Sequence, residues 1–367
     1  MLNGVRIIEI EGLGPGPFAA MLLADLGADV IVVHRKGGAV TPGIPERALV
    51  DRGKRSIALD LKDADDIATL KKLVATADGL IEGFRPGVME RLGIGPEVCH
   101  AINPALVFGR MTGWGQEGPL SRAAGHDLNY ISMSGALWYA SEPGRPPMTP
   151  PTLVGDIGGG SMYLAVGILS GVLNARSTGK GCVVDAAIYD GSAHMMNLLM
   201  TMRQTGNVTS QRGQSILDGP HWSHSYRTSD GGFMSVQCLE PKFYAQFIDM
   251  LGLSDDPDFA KQFDKALWPV LTDRLTGIFA TKTRNEWTDL YLGTDACVAP
   301  VLDPEDAMAH PMSIARNTWS DADGVLQTAP APRFSGQEPW KPALRPERDQ
   351  HRQEILDELP SLGRETQ

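Results

Sequence analysis

Cysteine is scarce in this sequence, and the cysteines that do occur are far apart. None of the four belongs to a C-x-x-C pair, so neither a structural zinc site nor a thioredoxin-like redox motif is supported. Separated thiols of this kind are typical of a reduced, cytoplasmic setting. They are Cys99, Cys182, Cys238 and Cys297.

Long apolar runs and targeting signals are also lacking. A membrane-spanning helix needs ~18 consecutive apolar residues, and the apolar stretch at 164–173 is shorter and predicts a core helix. A strand-like run begins at Val5, almost at the start of the chain, so we expect no signal peptide. The last residues, ending in Gln367, do not form a peroxisomal signal. We therefore expect a cytoplasmic protein without a membrane partner.

Positive charge is in the minority, because 33 Lys and Arg residues face 44 Asp and Glu residues and the formal net charge is −11. This balance argues against a nucleic-acid partner, which would favour a basic stripe. A few local Arg or Lys residues can still hold an anionic ligand. The chain of 367 residues exceeds what one compact core usually serves, so we expect two domains.

Short β-rich runs alternate with helix-like stretches in the first half of the chain. This alternation predicts β-α-β units and a parallel sheet covered by helices on both faces. Ligands of such sheets bind beyond the carboxyl ends of the strands. We predict helices at Phe18–Leu26 and Ala64–Thr76, and six strands at Arg6–Ile10, Asp29–Val33, Ser56–Asp60, Gly79–Gly83, Leu106–Met111 and Cys182–Ala187.

The pattern changes near Met200, where a polar, non-periodic stretch at 204–218 follows. Asp230-Gly231 then predicts a β-hairpin, helical patterns continue to about Leu292, and the proline-rich stretch 329–347 predicts an extended tail. The predicted organisation is a large α/β domain at 1–200, a linker at 201–224, a smaller α+β domain at 225–315 and a C-terminal segment at 316–367.

A glycine-rich turn, Gly12–Pro17, lies between the first strand and the first helix. Its spacing is G-x-G-x-G, not the G-x-G-x-x-G that wraps a pyrophosphate. Its two prolines also remove amide donors, and the second strand ends in His34-Arg35 without a carboxylate for a ribose hydroxyl. We therefore expect a tight turn and no nicotinamide cofactor.

Four basic residues, Arg35, Lys62, Arg85 and Arg91, fall near the ends of successive strands or in the helices that follow them. On a parallel sheet they could converge on one rim as a phosphate-binding patch. The alternative is that they are scattered solvated cations, which most Arg and Lys residues are. Gly83, beside Arg85, favours a ligand because glycine permits close backbone approach.

Three further residues are candidates for acid–base chemistry. His126 lies in a glycine-flanked loop and has the side chain most easily poised near neutral pH. Asp156 is predicted in a turn before the helical run Ser161–Leu173, where it is either a second base or a helix N-cap. Glu240 precedes a proline and is therefore held extended; it either supports a histidine or is a plain surface carboxylate.

Several motifs, in the right order from the first strand to about Phe334, resemble family III CoA transferases, the CaiB/BaiF superfamily. Within it they resemble the branch that racemises 2-methylacyl-CoA thioesters. The segments that carry the resemblance are Gly14–Pro17, Leu26–Val30, Arg85–Val88, Arg110–Gln116, Gly125–Ser132, Gly155–Ser161 and Asp295–Val301.

The resemblance implies a large Rossmann-like CoA-binding domain with a six-stranded parallel sheet, and a separate small domain. It also implies that the C-terminal segment returns to the large domain. It implies an interlocked homodimer whose active site lies between the large domain of one chain and the small domain of the other. It also implies that the reaction uses no metal and no redox cofactor. CoA is part of the substrate and is not counted as a cofactor.

The resemblance further assigns the site residues. His126 and Asp156 match the two proton-transfer residues, and Glu240 matches the glutamate that pairs with the histidine. Phe84 stands where the branch often has Tyr, and Leu59 where it usually has Ala. The positions that match contacts to CoA or substrate are Arg35, Leu59, Asp60, Leu61, Lys62, Gly83, Phe84, Arg85, Arg91, Gly125, Asp127, Leu128, Asn129 and Tyr130.

The implied activity interconverts (2R)- and (2S)-2-methylacyl-CoA thioesters by a two-base 1,1-proton transfer through an enolate. The alternative is CoA transfer with Asp156 as the acyl-accepting nucleophile. The transferase relatives usually carry Tyr in place of His126 and a glycine-rich loop that the segment around Glu240 lacks, which favours the racemase. A non-catalytic acyl-CoA-binding protein is a third alternative. The sequence does not predict the identity of the acyl chain.

Overall fold

The computed structural model describes residues 1–38, 45, 47–322, 324–336 and 340–359. These residues divide into two compact units. The first unit comprises 1–136, 150–195 and the described part of 317–367, and the second comprises 137–149 and 196–316. The stretch predicted as a linker, 201–224, therefore belongs to the second unit, and so does 137–149, which the sequence-based boundaries assign to the large domain.

The first unit is built on a six-stranded parallel sheet in the order β3-β2-β1-β4-β5-β6, which confirms the predicted α/β class. Most residues of its first five strands are buried, as expected for a parallel sheet covered on both faces. Its strands are β1 (Arg6–Ile10), β2 (Asp29–Arg35), β3 (Arg55–Leu59), β4 (Gly79–Glu82), β5 (Val107–Thr112) and β6 (Cys182–Ala187).

Fourteen α-helices are assigned within the described residues, together with a 3-10 turn at Leu49–Asp51 and a π-helical segment at Leu153–Ser161. In chain order they are α1 (Pro15–Asp25), α2 (Ala64–Ala75), α3 (Val88–Arg91), α4 (Pro96–Ile102), α5 (Asp127–Ser134), α6 (Met162–Thr178), α7 (Ile188–Met195), α8 (Asn197–Arg203), α9 (Pro241–Met250), α10 (Trp268–Phe279), α11 (Arg284–Tyr291), α12 (Pro304–Ala309), α13 (Pro311–Arg316) and α14 (Arg352–Asp357).

Two apolar clusters cover the two faces of the sheet. Helices α1 and α6 supply residues such as Leu23 and Ile168 to one cluster. Helices α2, α4 and α14 supply residues such as Leu73, Cys99 and Ile355 to the other. The sheet is thus enclosed between helices, and the carboxyl ends of its strands are left for the loops that carry the candidate site.

The glycine-rich turn after β1 is tight, as predicted. Gly14 has a φ of 66°, in the left-handed region that favours glycine, and α1 begins directly after it at Pro15. Proline is well suited to the first helical position because its fixed φ fits the helix and the missing N–H would have no partner there.

Residues 153–178, which combine the π-helical segment with α6, are long and apolar enough to span a membrane by length and composition alone. In the structure α6 lies directly on the sheet. A Cβ on Gly109 of β5 would lie 2.8 Å from the Cδ1 of Ile168, and a Cβ on Gly171 would lie 2.7 Å from the Cγ1 of Val107. This close helix–sheet contact supports the predicted core helix.

The second unit contains a three-stranded antiparallel sheet in the order β7-β8-β9 and an aromatic core that includes Trp222, Tyr226, Phe247 and Phe279. Strands β7 and β8 flank Asp230-Gly231 and confirm the predicted hairpin. The strands are β7 (Ser223–Arg227), β8 (Phe233–Gln237) and β9 (Val298–Pro300).

The C-terminal part of the chain returns to the first unit. It forms a hairpin of β10 (Trp319–Ala322) and β11 (Val325–Thr328), and it then follows the free edge of β3. The Ala58 amide donates to the Asp349 carboxylate at 2.7 Å, and the His351 amide donates to the Ser56 carbonyl oxygen at 3.0 Å. These bonds satisfy polar groups that an edge strand otherwise leaves open.

Candidate active site

The strand order reverses between β1 and β4, which neighbour each other at the centre of the sheet. A crevice forms at such a switch point, because the chain turns to opposite sides after the two strands. Gly14 follows β1 and Gly83 follows β4, so both glycines border this crevice. His126 and Asp156 are carried by the start of α5 and by the π-helical segment, which contact each other.

His126 is the N-cap residue of α5 and has an extended backbone, with φ of −136° and ψ of 173°. Its amide donates to the Asn129 side-chain oxygen at 3.0 Å, which fixes the start of the helix. The Tyr130 hydroxyl donates to the Gly125 carbonyl oxygen, which fixes the preceding loop. The histidine side chain itself is exposed within the chain and free to meet a ligand.

Asp156 lies inside the π-helical segment, so its predicted position in a turn, with a possible N-cap role, is wrong. The Ile157 amide donates to the Thr152 carbonyl oxygen at 3.0 Å, an i→i+5 bond, and α6 begins only at Met162. Such π-turns are frequent at functional sites.

The three glycines after Asp156 have a packing role. A Cβ on Gly159 would lie 2.3 Å from the Ser192 hydroxyl oxygen, and a Cβ on Gly160 would lie 3.0 Å from the Cγ1 of Ile188, so both glycines face α7. They let the π-helical segment approach α7 closely and so hold Asp156 at the crevice.

The Asp127 side chain joins the two candidate bases. Its Oδ1 atom accepts hydrogen bonds from the Gly155 amide at 2.9 Å and from the Asp156 amide at 2.8 Å. Asp127 is 8% exposed, so these charge-assisted bonds lie largely out of water. From the sequence, Asp127 is expected only to contact CoA or substrate, and no sequence signal marks its carboxylate, because both amides come from a segment nearly 30 residues away.

The pKa of Asp156 is raised to about 6, first by burial, then by the negative charge of Asp127, while the charge of His126 opposes the shift. The Asp156 carboxylate faces the glycine-rich turn, since a Cβ on Gly14 would lie 3.7 Å from its Oδ2 atom. A carboxylate with a pKa near neutrality can both take up and release a proton under ordinary conditions.

Glu240 belongs to the second unit and is the N-cap residue of α9. Its ψ of 136° agrees with the extended conformation expected before Pro241. Its carbonyl oxygen accepts hydrogen bonds from the amides of Phe243 and Tyr244, both at 3.0 Å, and its side chain is exposed. Its pairing with a histidine stays a prediction.

Many of the predicted CoA contacts lie at the carboxyl ends of the strands or just after them. Arg35 ends β2, Lys62 follows β3, and Arg85 follows β4, and all three side chains are exposed. Leu59 is buried, so a ligand would meet only the backbone there. The other predicted contacts are Asp60 and Leu61 after β3, Gly83 and Phe84 after β4, Arg91 at the end of α3, Gly125 just before α5, and Leu128, Asn129 and the buried Tyr130 on α5.

A polar cluster that sequence reasoning missed lies beneath the Gly83–Arg85 loop. The buried Glu82 accepts a hydrogen bond from the Phe84 amide at 2.7 Å, and burial raises its pKa to about 7. Arg110, opposite Glu82 on β5, donates to Gln116 at 2.6 Å and pairs with Glu90 on α3. The cluster therefore links β5 to two of the predicted CoA-contacting segments.

Among the described residues, no group of three or more His, Cys, Asp or Glu side chains is arranged to hold a metal ion. The residues gathered at the crevice are instead a histidine, a carboxylate of raised pKa and free amides at the start of α5. Together with the doubly wound sheet, they define an α/β protein with acid–base groups at its switch point.

The comparisons place this protein in one family. The sequence profile of CoA-transferase family III matches residues 2–352, and the chain belongs to that family. It is 39% identical to the alpha-methylacyl-CoA racemase of Mus musculus over 98% of this chain and 93% of that protein. It is 31% identical to the acetyl-CoA:oxalate CoA-transferase of Acetobacter aceti over 91% of this chain and 89% of that protein.

Solved structures agree with the family assignment. The crystal structure of a CaiB/BaiF family protein from Brucella suis superposes with a TM-score of 0.80 and 27% sequence identity, covering 98% of this chain and 99% of the other. The α/β architecture is therefore common to this chain and a CaiB/BaiF protein along almost their whole lengths.

Proposed function

We propose that this protein is a racemase that interconverts (2R)- and (2S)-2-methylacyl-CoA thioesters. The observation that carries the proposal is the contact between α5 and the π-helical segment. There His126 and a carboxylate with a pKa of about 6 act on each other electrostatically. The relatives named alpha-methylacyl-CoA racemase support it, because they align with nearly the whole chain.

In the proposed mechanism the thioester carbonyl binds near the Asp127 amide. This amide lies in the first turn of α5, where N–H groups have no acceptor within the helix and the helix dipole favours negative charge. It stabilises the enolate oxygen as charge develops. One of the two bases, His126 or Asp156, removes the C2 proton, and the other delivers a proton to the opposite face.

The CoA part is proposed to lie along the carboxyl ends of the strands. The exposed cations Arg35, Lys62, Arg85 and Arg91 supply positive charge for its phosphates. The exposed glycine at Gly83 permits a close approach of the ligand to the backbone. The proposed mechanism uses neither a metal nor a redox cofactor.

We also propose that the protein acts as an interlocked homodimer in the cytoplasm and that Glu240 of one chain supports His126 of the other. Exposed apolar side chains in the first unit favour an interface: Val166 is 63% exposed and Leu173 is 72% exposed, both on α6. Large apolar side chains on a helix surface are typical of contact with another protein chain when they cluster.

CoA transfer is the second candidate. The half-buried Asp156 carboxylate would then be the nucleophile that accepts the acyl group, and the CoA-transferase relative from Acetobacter aceti supports this alternative. The two candidates differ in their requirements. Racemisation needs no second acid, whereas transfer needs a free carboxylic acid as acceptor and an acyl intermediate on Asp156.

The deciding experiment is proton exchange followed by NMR. The protein is incubated with a (2R)-2-methylacyl-CoA in deuterium oxide without any acceptor acid. The racemase exchanges the C2 proton and produces the 2S epimer. No exchange, combined with acyl transfer once a free carboxylic acid is added, would assign the protein to the transferases. Binding of the thioester with neither reaction would show that the protein is a non-catalytic acyl-CoA-binding protein.

The variants His126→Ala and Asp156→Ala test the two bases. Each should slow racemisation by about 100-fold or more, because each removes a positioned proton-transfer group. CoA affinity, measured by calorimetry, should stay close to that of the unmodified protein. Unchanged turnover in either variant would contradict the two-base assignment.

A further inference from the structure

Asp127 connects the two candidate bases, His126 and Asp156, through the chain on one side and through hydrogen bonds on the other. It directly follows His126 in the chain and accepts hydrogen bonds from the amides of Gly155 and Asp156. We propose that the Asp127 side chain is a positioning residue that fixes Asp156 relative to His126 and places a negative charge beside it. This inference rests on the proposed racemase function.

The start of α5 carries both His126 and Asp127. His126 is the N-cap residue of α5 and Asp127 is the first residue of that helix. The carboxylate of Asp127 lies 2.8 Å from the Asp156 amide nitrogen. The start of α5, which carries His126, is therefore tied directly to the backbone of Asp156.

Gly155 packs closely against the Asp127 carboxylate and α5. A Cβ at this position would lie 2.4 Å from Asp127 Oδ1 and 2.9 Å from the Cγ2 of Ile131. No side chain fits there without displacing the Asp127 carboxylate or α5. Glycine at 155 is therefore required by the hydrogen bonds that Asp127 makes, and its replacement would separate the two segments.

The charge of Asp127 also acts on the ionisation of Asp156. The negative charge of Asp127 disfavours ionisation of Asp156 and raises its pKa, after burial, which is the larger cause. Other described groups near the start of α5 also act on Asp156 or respond to it: His126 lowers its pKa, and the pKa of Tyr130 is raised by burial and then by the Asp156 charge. Helix α7 carries Asp190 and His194, and neither is among the groups that shift Asp156.

The variant Asp127→Asn tests the inference because Asn keeps a side-chain oxygen that accepts hydrogen bonds and removes the charge. The pKa of Asp156 should fall by about one unit. Where Asp156 removes the proton, the acidic limb of the rate profile should move to lower pH. Where Asp156 delivers the proton, the rate should decline at lower pH than before.

The pKa of Asp156 can also be read without any activity. Aspartate labelled with ¹³C at the carboxyl carbon gives a titrating NMR signal, and Asp156→Asn identifies it by its loss. The matched control is Asp190→Asn, which removes the same charge from an exposed position on α7. It should leave the Asp156 titration unchanged.

The variant Gly155→Ala separates position from charge. This variant keeps the negative charge of Asp127 but pushes its carboxylate away from the two amides. We therefore expect kcat to fall by about tenfold or more while KM changes less. An unchanged Asp156 titration in Asp127→Asn, together with normal kcat in Gly155→Ala, would overturn the inference. Absence of exchange in the unmodified protein would instead overturn the proposed function.

Discussion

At the residue scale, Glu82 shows how burial alters a carboxyl group beside the candidate site. It is 3% exposed at the end of β4, and its pKa is raised from 4.5 to about 7. Burial is the main cause, and the hydrogen bond from the Phe84 amide and the Arg110 charge on the neighbouring strand only partly offset it. Between about pH 4.5 and pH 7 the folded state therefore holds a proton on Glu82 that the unfolded chain releases.

This leads to a prediction for stability against pH. Because the folded pKa lies above the unfolded one, the stabilisation is complete below about pH 4.5 and is lost as the pH rises through about 7. The variant Glu82→Gln imitates the protonated form, so it should exceed the unmodified protein in unfolding free energy by roughly 1–3 kcal/mol at pH 8.5.

Urea unfolding at pH 4.5 and pH 8.5 measures this difference. Glu97→Gln, at an exposed position on α4, is the control and should show no pH-dependent gain. Equal stability of Glu82→Gln and the unmodified protein at pH 8.5 would mean that Glu82 is ionised in the folded protein at little cost.

The sequence allowed some of these residues to be selected and not others. His126 and Asp156 could be selected by residue type and by the glycines around them. The carboxylate of Asp127 and the pair of Glu82 and Arg110 could not, because their partners are distant in the chain and meet only when the sheet and helices are packed.

At the element scale, the six strands of the parallel sheet were predicted to within two residues at every end, because buried parallel strands are short apolar runs between turns. Their order in the sheet could not be predicted from local patterns. The π-helical segment was missed because its wide turns depend on the contact of Gly159 and Gly160 with α7, which no sequence period encodes.

The edge of β3 gives a prediction at the same scale. Asp349 accepts a hydrogen bond from Ala58 at 2.7 Å, and its amide donates to the Ser56 hydroxyl at 3.0 Å. Asp349→Ala leaves the Ala58 amide without its acceptor and should lower the unfolding free energy by about 1–2 kcal/mol. Because β3 leads into the segment 59–62, KM for the CoA thioester should rise while kcat stays similar.

Denaturant unfolding and steady-state kinetics test both parts of this prediction. Glu347→Ala, at an exposed position two residues earlier, removes a carboxylate that does not reach β3 and serves as the control. A larger effect on kcat than on KM would show that the C-terminal segment acts on the proton-transfer residues and not on the CoA contacts.

At the scale of the whole molecule, the division of the chain bears on the proposed assembly. His126 and Asp156 belong to the first unit, and Glu240 belongs to the second. The inclusion of residues 137–149 in the second unit could not be predicted, because they are separated in sequence from the rest of it. If Glu240 acts across the dimer, each active site needs both units but takes them from different chains.

Co-expression of two differently tagged variants tests this arrangement. One chain carries Asp156→Ala and the other carries Glu240→Gln, and the heterodimer is isolated through both tags. If Glu240 acts on the partner, both defects fall in one site and the other site is intact, so the heterodimer should show about half the activity of the unmodified dimer. If Glu240 acts within its own chain, each site retains one defect, and the heterodimer should be no more active than the average of the two variant homodimers.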